Sequence, residues 1–198
     1  MHFSALFYCE RFVYEHLSGY LGKPCRILDV GSLDINGTLR AHFTGPGKEL
    51  WQYTGVDLVP GKGVDVVVKQ HVPFPFEDGS FDVIVSASCL THDHVFWVTF
   101  ANMARLLSSG GYMYINVPSN GDGYMPYPID CWRWKDDAWY GLQSWSRRIQ
   151  PNVNIRCVQH FVGNMLNNEM WLDNVSIWKR DPKAWCTDCP YARLNGEA

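Results

Sequence analysis

Apolar positions along the chain change period several times, and each change marks an element. Phe3, Leu6, Phe7, Tyr14, Leu17 and Leu21 recur at helical spacing until Gly22-Lys23-Pro24 breaks the pattern. This predicts a leading helix within residues 1–22 that packs on a sheet or lids a ligand site. Arg26 to Val30 reads as a first strand, Thr38 to Phe43 as a short helix closed by Gly45-Pro46-Gly47, and Tyr53 to Leu58 as a second strand. Pro60-Gly61-Lys62-Gly63 is a turn, and Val64 to Val68 a short β-branched strand. Phe81 to Ser86 is nearly all apolar, as a strand buried on both faces should be. Phe96, Phe100, Met103 and Leu107 line one helix face, with Ser108-Ser109-Gly110-Gly111 as the exit turn and Tyr112 to Val117 as the fifth strand. A helix over Asp136 to Ile149 and strands over Asn154 to Phe161 and Met170 to Trp178 complete the pattern; from Lys179 the chain reads as a loosely packed tail. Strands alternating with helices predict an α/β fold on a mostly parallel sheet with right-handed crossovers.

The chemistry concentrates where the first two strands end. Ile27-Leu28-Asp29-Val30-Gly31-Ser32-Leu33-Asp34-Ile35-Asn36-Gly37 is an apolar run, an acid and a glycine turn, the arrangement that lets backbone approach a nucleotide-like ligand. The dinucleotide fingerprint G-x-G-x-x-G fails at Leu33 and Asn36, and the phosphate loop fails because Thr38, not lysine, follows Gly37. An acid beside a glycine loop without a basic clamp suits a ligand with positive charge. The alternative is an ordinary turn after a buried strand. Asp57 ends the second strand and is placed to accept from both hydroxyls of a ribose.

Composition narrows the class. With 198 residues, 19% charged and 15% aromatic, the chain is expected to form one domain with a substantial core. A net charge of −3 without a basic run argues against nucleic acid as a partner. No uncharged apolar stretch approaches the roughly 20 residues of a membrane span, and the charge-broken start is not expected to act as a signal peptide. Seven scattered cysteines predict no disulfide framework, so a cytoplasmic location is expected. Cys186 and Cys189 form one possible ligand pair, whereas zinc takes four ligands, so no metal is expected.

Taken in order, the glycine loop, Asp57, Pro75-Phe76-Glu77-Asp78-Gly79-Ser80-Phe81-Asp82-Val83-Ile84-Val85-Ser86 and Leu106-Leu107-Ser108-Ser109-Gly110-Gly111 resemble the class I S-adenosylmethionine-dependent methyltransferases. Within these, Tyr127-Pro128-Ile129-Asp130-Cys131-Trp132-Arg133 resembles a bacterial group with a late Tyr-Pro-x-Asp-x-Trp-Arg segment. The resemblance implies a Rossmann-like sheet of about seven strands, the last one antiparallel, with helices on both faces and S-adenosylmethionine as cofactor. It implies that Asp29, Gly31, Ser32 and Gly37 wrap the amino-acid end of the cofactor, that Asp57 holds the ribose, and that Leu58 packs on the adenine. Ser86 would border the same site. Relatives commonly place an acid before Pro-Phe at the adenine edge; here Gln70 stands there, and its carbonyl can still accept one hydrogen bond.

After the fourth strand, relatives often read Glu-His where this chain has Thr91-His92. His92 and Asp93 are the candidate acid–base residues, against the alternative of a histidine that structures the loop. Tyr127, Asp130 and Arg133 are candidate acceptor contacts, with Arg133 reading an anionic group; the alternative is an Arg133–Asp130 pair within the fold. The Pro-Cys motif of cytosine-C5 enzymes and the Asn-Pro-Pro-Tyr motif of amino-group methylases are absent. The expected activity is O-methylation of a small-molecule or sugar-type acceptor. The rivals are a non-catalytic S-adenosylmethionine-binding module or partner subunit, and a nicotinamide-dependent oxidoreductase. The sequence leaves the oligomeric state open.

Overall fold

The computed structural model describes residues 2–121, 123–126, 128–163 and 172–181. Seven strands form one sheet: β1 (Cys25–Val30), β2 (Trp51–Asp57), β3 (Val66–Val67), β4 (Phe81–Ala87), β5 (Leu107–Pro118), β6 (Ile155–Val162) and β7 (Asp173–Arg180). Their order is β3-β2-β1-β4-β5-β7-β6. β1 to β5 pair in parallel, and β7 runs antiparallel to both β5 and β6. The expected sheet and its antiparallel close are therefore present.

Helices α1 (Phe3–His16), α2 (Phe96–Leu106) and α3 (Ala138–Ile149) divide between the two faces. On one face α1 buries Tyr8, Phe12 and Val13 against Ile27, Val85 and Tyr114. Its outer side carries the i,i+4 pair Arg11–Glu15 at 2.8 Å, as expected for a helix apolar along one stripe. On the other face Phe100, Met103, Trp139 and Leu142 pack on Leu28, Ile84, Met113 and Trp178. Trp134 and Trp139 stack with centroids 5.1 Å apart, which fastens α3 to the chain that leaves β5.

Four expectations shift. The leading α-helix stops at His16, and a 3-10 turn over Ser18–Tyr20 completes the segment. The connection from β1 to β2 also holds only a 3-10 turn, Leu39–Phe43, capped by the Thr38 hydroxyl accepting from the Arg40 N–H at 3.1 Å. Ser108 to Gly111 are not an exit turn but a bulge inside β5: Phe81 faces Leu107, then Val83 faces Tyr112. A Cβ on Gly111 would stand 2.7 Å from the Asp82 carbonyl oxygen, so only glycine lets the bulge lie flat on β4. Lys179 and Arg180 belong to β7 rather than to a loose tail, because the Arg180 guanidinium donates to the Arg105 carbonyl at 3.0 Å.

Candidate functional site

β1, β2, β4 and β5 all end on one edge of the sheet, and the loops that follow β1, β2 and β4 carry Gly31, Leu58 and His92. Gly31 leaves β1 at φ +85°, and a Cβ on it would lie 2.4 Å from Cβ of Cys89, in the loop after β4. Glycine is thus required for both its conformation and its closeness. Gly63, at φ +89°, packs in the same way: its Cβ would stand 2.5 Å from the Ser32 carbonyl oxygen. The turn after β2 therefore supports the glycine loop from beneath, a role the sequence did not reveal.

The donors of this loop are occupied. Gly31 and Ser32 N–H both donate to the Val56 carbonyl (2.9 and 3.1 Å), and Leu33 N–H donates to Asp57 Oδ2 (3.0 Å). Asp34 N–H donates to the Lys62 carbonyl, and Gly37 N–H to Asp34 Oδ1, both at 2.8 Å. Lys62 also pairs with the Asp34 carboxylate at 2.6 Å, and these two contacts hold Asp34 below the usual carboxylate range. With the N–H groups of Gly31, Ser32, Leu33, Asp34 and Gly37 turned inward, the loop offers little of an anion nest. Outside it lies a depression of about 250 Å³ lined by Asp34, Thr38, Arg40, Lys62, Gly63 and Asp65, whose charges are paired as Asp34–Lys62 and Arg40–Asp65.

Two carboxylates at the strand ends have no ion-pair partner among the described residues. Asp29 is buried and accepts from the Tyr53 hydroxyl at 2.6 Å. Burial pushes its pKa up to about 7 against the opposing hydrogen bond from Tyr53. The Tyr53–Asp29 contact was not foreseen; both residues lie on the face of the sheet that α1 covers. Asp57 accepts from Leu33 N–H through Oδ2 and from Leu58 N–H through Oδ1 at 2.7 Å. Each oxygen keeps a further lone pair. Leu58 beside it is 43% exposed.

The other predicted residues lie apart. Ser86 is buried, and its hydroxyl donates to the Val30 carbonyl at 2.9 Å, so it steadies the end of β1 rather than facing outward. Asp93 is buried as well: Oδ1 accepts from Val95 N–H (2.9 Å) and the Gln70 amide (3.3 Å), and Oδ2 accepts from the Thr99 hydroxyl. It braces the start of α2 and is not placed for acid–base work, a correction to the sequence reading. His92 sits half-buried with Nδ1 at 2.6 Å from the Ile129 carbonyl, which fixes Nδ1 as the protonated nitrogen and leaves Nε2 as an acceptor. Ser88, between these loops, adopts φ +58° without being glycine.

Arg133 does not read a ligand in this arrangement. Its five N–H donors go to both Asp130 oxygens and to the Gly121, Gly123 and Trp132 carbonyls. Asp130 also accepts from Met125 N–H at 2.9 Å. The pair staples the loop after β5, the bland alternative of the sequence reading. Thr91 fastens the same loop: its carbonyl accepts from Cys131 and Trp132 N–H (3.0 and 3.2 Å). Tyr127, Cys186 and Cys189 lie outside the described residues. Among the described residues no group of three or more His, Cys, Asp or Glu could hold a metal, and no helix is long and apolar enough to cross a membrane.

Together the sheet order and the strand ends define an α/β domain with acidic residues at the carboxyl ends of β1 and β2, the edge at which open α/β sheets bind their ligands. Residues 5–174 match the family described as methyltransferase domain, and the chain belongs to that family. Two curated relatives, hybrid PKS-NRPS synthetases of Xenoacremonium sinensis and Acremonium sp, are 25% and 26% identical over 172 residues, 71% of this chain. The chain spans 4% of the length of each. Among solved structures, the fold is similar to the Burkholderia thailandensis 1,6-didemethyltoxoflavin-N1-methyltransferase with bound 1,6-didemethyltoxoflavin and S-adenosylhomocysteine. That likeness has a TM-score of 0.64 and 17% identity, covering 90% of this chain and 79% of that one. It is also similar to the CMeT domain of the citrinin polyketide synthase, with a TM-score of 0.60 and 16% identity, covering 89% of this chain and 52% of that one.

Proposed function

We propose that this domain moves a methyl group from S-adenosylmethionine to an oxygen of a small-molecule acceptor. The observation that carries the reading is the pair of strand-end carboxylates without an ion-pair partner among the described residues, Asp29 and Asp57, beside a loop in which the N–H groups of Gly31, Ser32, Leu33, Asp34 and Gly37 are engaged. Such a site repels a pyrophosphate and suits a ligand with an ammonium and a sulfonium. When bound, the cofactor supplies a methyl group already activated on sulfur. Asp57 accepts from the ribose hydroxyls through its remaining lone pairs, and exposed Leu58 offers the base an apolar surface. Gln70 accepts at the base edge, and Gly31, Ser32 and Gly37 shape the wall at the amino-acid end. On the acceptor side, His92 Nε2 would take the proton of the hydroxyl whose oxygen the cofactor's methyl group would alkylate. Holding the two in line supplies much of the acceleration.

The surroundings of His92 favour an uncharged acceptor over a sugar phosphate. Ile129 and Trp132 are 41% and 37% exposed beside it, and Arg133 is fully engaged. S-adenosylhomocysteine is expected to raise the melting temperature, since a ligand at a hundredfold excess over its dissociation constant stabilises by about 2.7 kcal/mol. No shift at millimolar ligand would sink the cofactor assignment.

Asp29 gives this binding a pH dependence. Its raised pKa means that the folded protein holds a proton which the unfolded chain releases near pH 3.8. Its contribution to stability is therefore full below that value and is lost as the pH climbs to about 7. A bound ammonium favours the ionised acid, so the proton must leave for the cofactor to bind. Affinity for S-adenosylhomocysteine is expected to rise between about pH 5.5 and about pH 7.5, by at most about tenfold per unit. Calorimetry should show this slope flattened in Asp29→Asn; an equal slope there would remove Asp29 from the site.

A further inference from the structure

We propose that Asp93 fixes the direction in which the Gln70 amide faces, and so makes the base subsite selective for adenine over hypoxanthine. This rests on the reading that Gln70 borders the cofactor's base. Three donors converge on the buried Asp93 side chain: Val95 N–H at 2.9 Å and the Gln70 amide at 3.3 Å on Oδ1, and the Thr99 hydroxyl on Oδ2. A carboxylate only accepts, so Gln70 must turn its NH₂ toward Asp93. Its carbonyl oxygen then faces the opposite way, and no donor among the described residues occupies it. Asp93 itself cannot yield, because it is held through the start of α2 and is 5% exposed.

A free glutamine satisfies a donor or an acceptor by flipping, so by itself it selects neither. A pinned one presents only its acceptor. Adenine carries an amino donor at the position where hypoxanthine carries a carbonyl. The first pairs with Gln70 Oε1; the second meets it oxygen to oxygen, and a site built around one hydrogen-bond pattern rejects the other. Asp93 is thus a positioning residue, and its effect is on the choice of base.

The test is calorimetric binding of S-adenosylhomocysteine and of its hypoxanthine counterpart, S-inosylhomocysteine. Wild type is expected to prefer the adenine form by about tenfold or more. Asp93→Asn must keep its carbonyl oxygen on the Val95 N–H and turn its NH₂ toward the Thr99 hydroxyl, so Gln70 stays pinned and the preference should hold. Asp93→Ala removes the acceptor, lets Gln70 flip, and should drop the preference to about threefold or less while S-adenosylhomocysteine still binds. Asp93→Ser, whose hydroxyl turns either way, should do the same as Asp93→Ala and replaces it if that one fails to fold. Gln70→Ala should weaken S-adenosylhomocysteine and erase the preference. A wild-type preference retained in folded Asp93→Ala or Asp93→Ser overturns the proposal. Gln70→Ala binding like wild type removes the base contact on which it rests, and no binding by wild type removes the cofactor reading itself.

Discussion

Asp57→Ala is expected to weaken S-adenosylhomocysteine binding by about a hundredfold or more. Two ribose hydroxyls would lose a charged acceptor, and hydrogen bonds to charged groups contribute about 1.5–3 kcal/mol each. The structure also sets the expectation for Asp57→Asn. An asparagine keeps one acceptor, which from sequence alone predicts a milder loss. Yet both Asp57 oxygens accept from backbone, Oδ1 from Leu58 and Oδ2 from Leu33. An amide must therefore aim its NH₂ at one of two N–H groups. Asp57→Asn should loosen the glycine loop and bind nearly as poorly as Asp57→Ala, with a lower melting temperature than wild type. Calorimetry and thermal melts on the three proteins check this, and wild-type affinity in both variants would take Asp57 out of the site.

Arg133→Ala and Asp130→Ala should destabilise the protein by similar amounts, about 3 kcal/mol each, while cofactor binding stays close to wild type. Removing one partner of a largely buried pair strands the other charge. The side chains are 24% and 5% exposed. The double variant should cost less than the sum of the two, the signature of residues that act together. The hydrogen bond from Arg133 holds Asp130 below the ordinary carboxylate range, so this stability is present at neutral pH and is lost as the pH falls through the folded value. Thermal melts of the three variants decide. If Arg133→Ala melts like wild type but lowers methyl transfer to an identified acceptor, the arginine returns to the acceptor site.

The sheet was legible because its strands are near-continuous apolar runs punctuated by glycine, and the burial of Ile27, Leu28, Val83, Ile84 and Val85 matches that pattern. Gly31 was legible as a close approach for the same reason. What escaped were contacts between side chains far apart in sequence. Nothing in periodicity says that Tyr53 covers Asp29, that Gln70 reaches Asp93, or that Ser86 turns to Val30. Asp93 looked catalytic because acids after a fourth strand border ligands; its three inward hydrogen bonds are a tertiary fact. Arg133 and Asp130 stand three apart, close enough to foresee a pair, but the carbonyls of Gly121 and Gly123 complete the guanidinium shell from across a loop. The bulge at Ser108 to Gly111 carries turn residues, and sequence cannot distinguish a turn that ends an element from one inside it.

The sheet order has a consequence for how the chain is made. β7 is the last of the seven strands in sequence yet lies between β5 and β6. During synthesis β5 therefore waits with a bare edge, and β6 emerges with no strand to join, until Asp173 to Arg180 leave the ribosome. For that interval the nascent chain exposes open backbone beside apolar Met113 and Ile115, the conditions for pairing with the wrong neighbour. A fragment that stops before Asp173 would keep Asp29, Gly31 and Asp57 and still lack the strand that joins β5 to β6. Its fate should be to aggregate or engage chaperones rather than to work as a smaller enzyme.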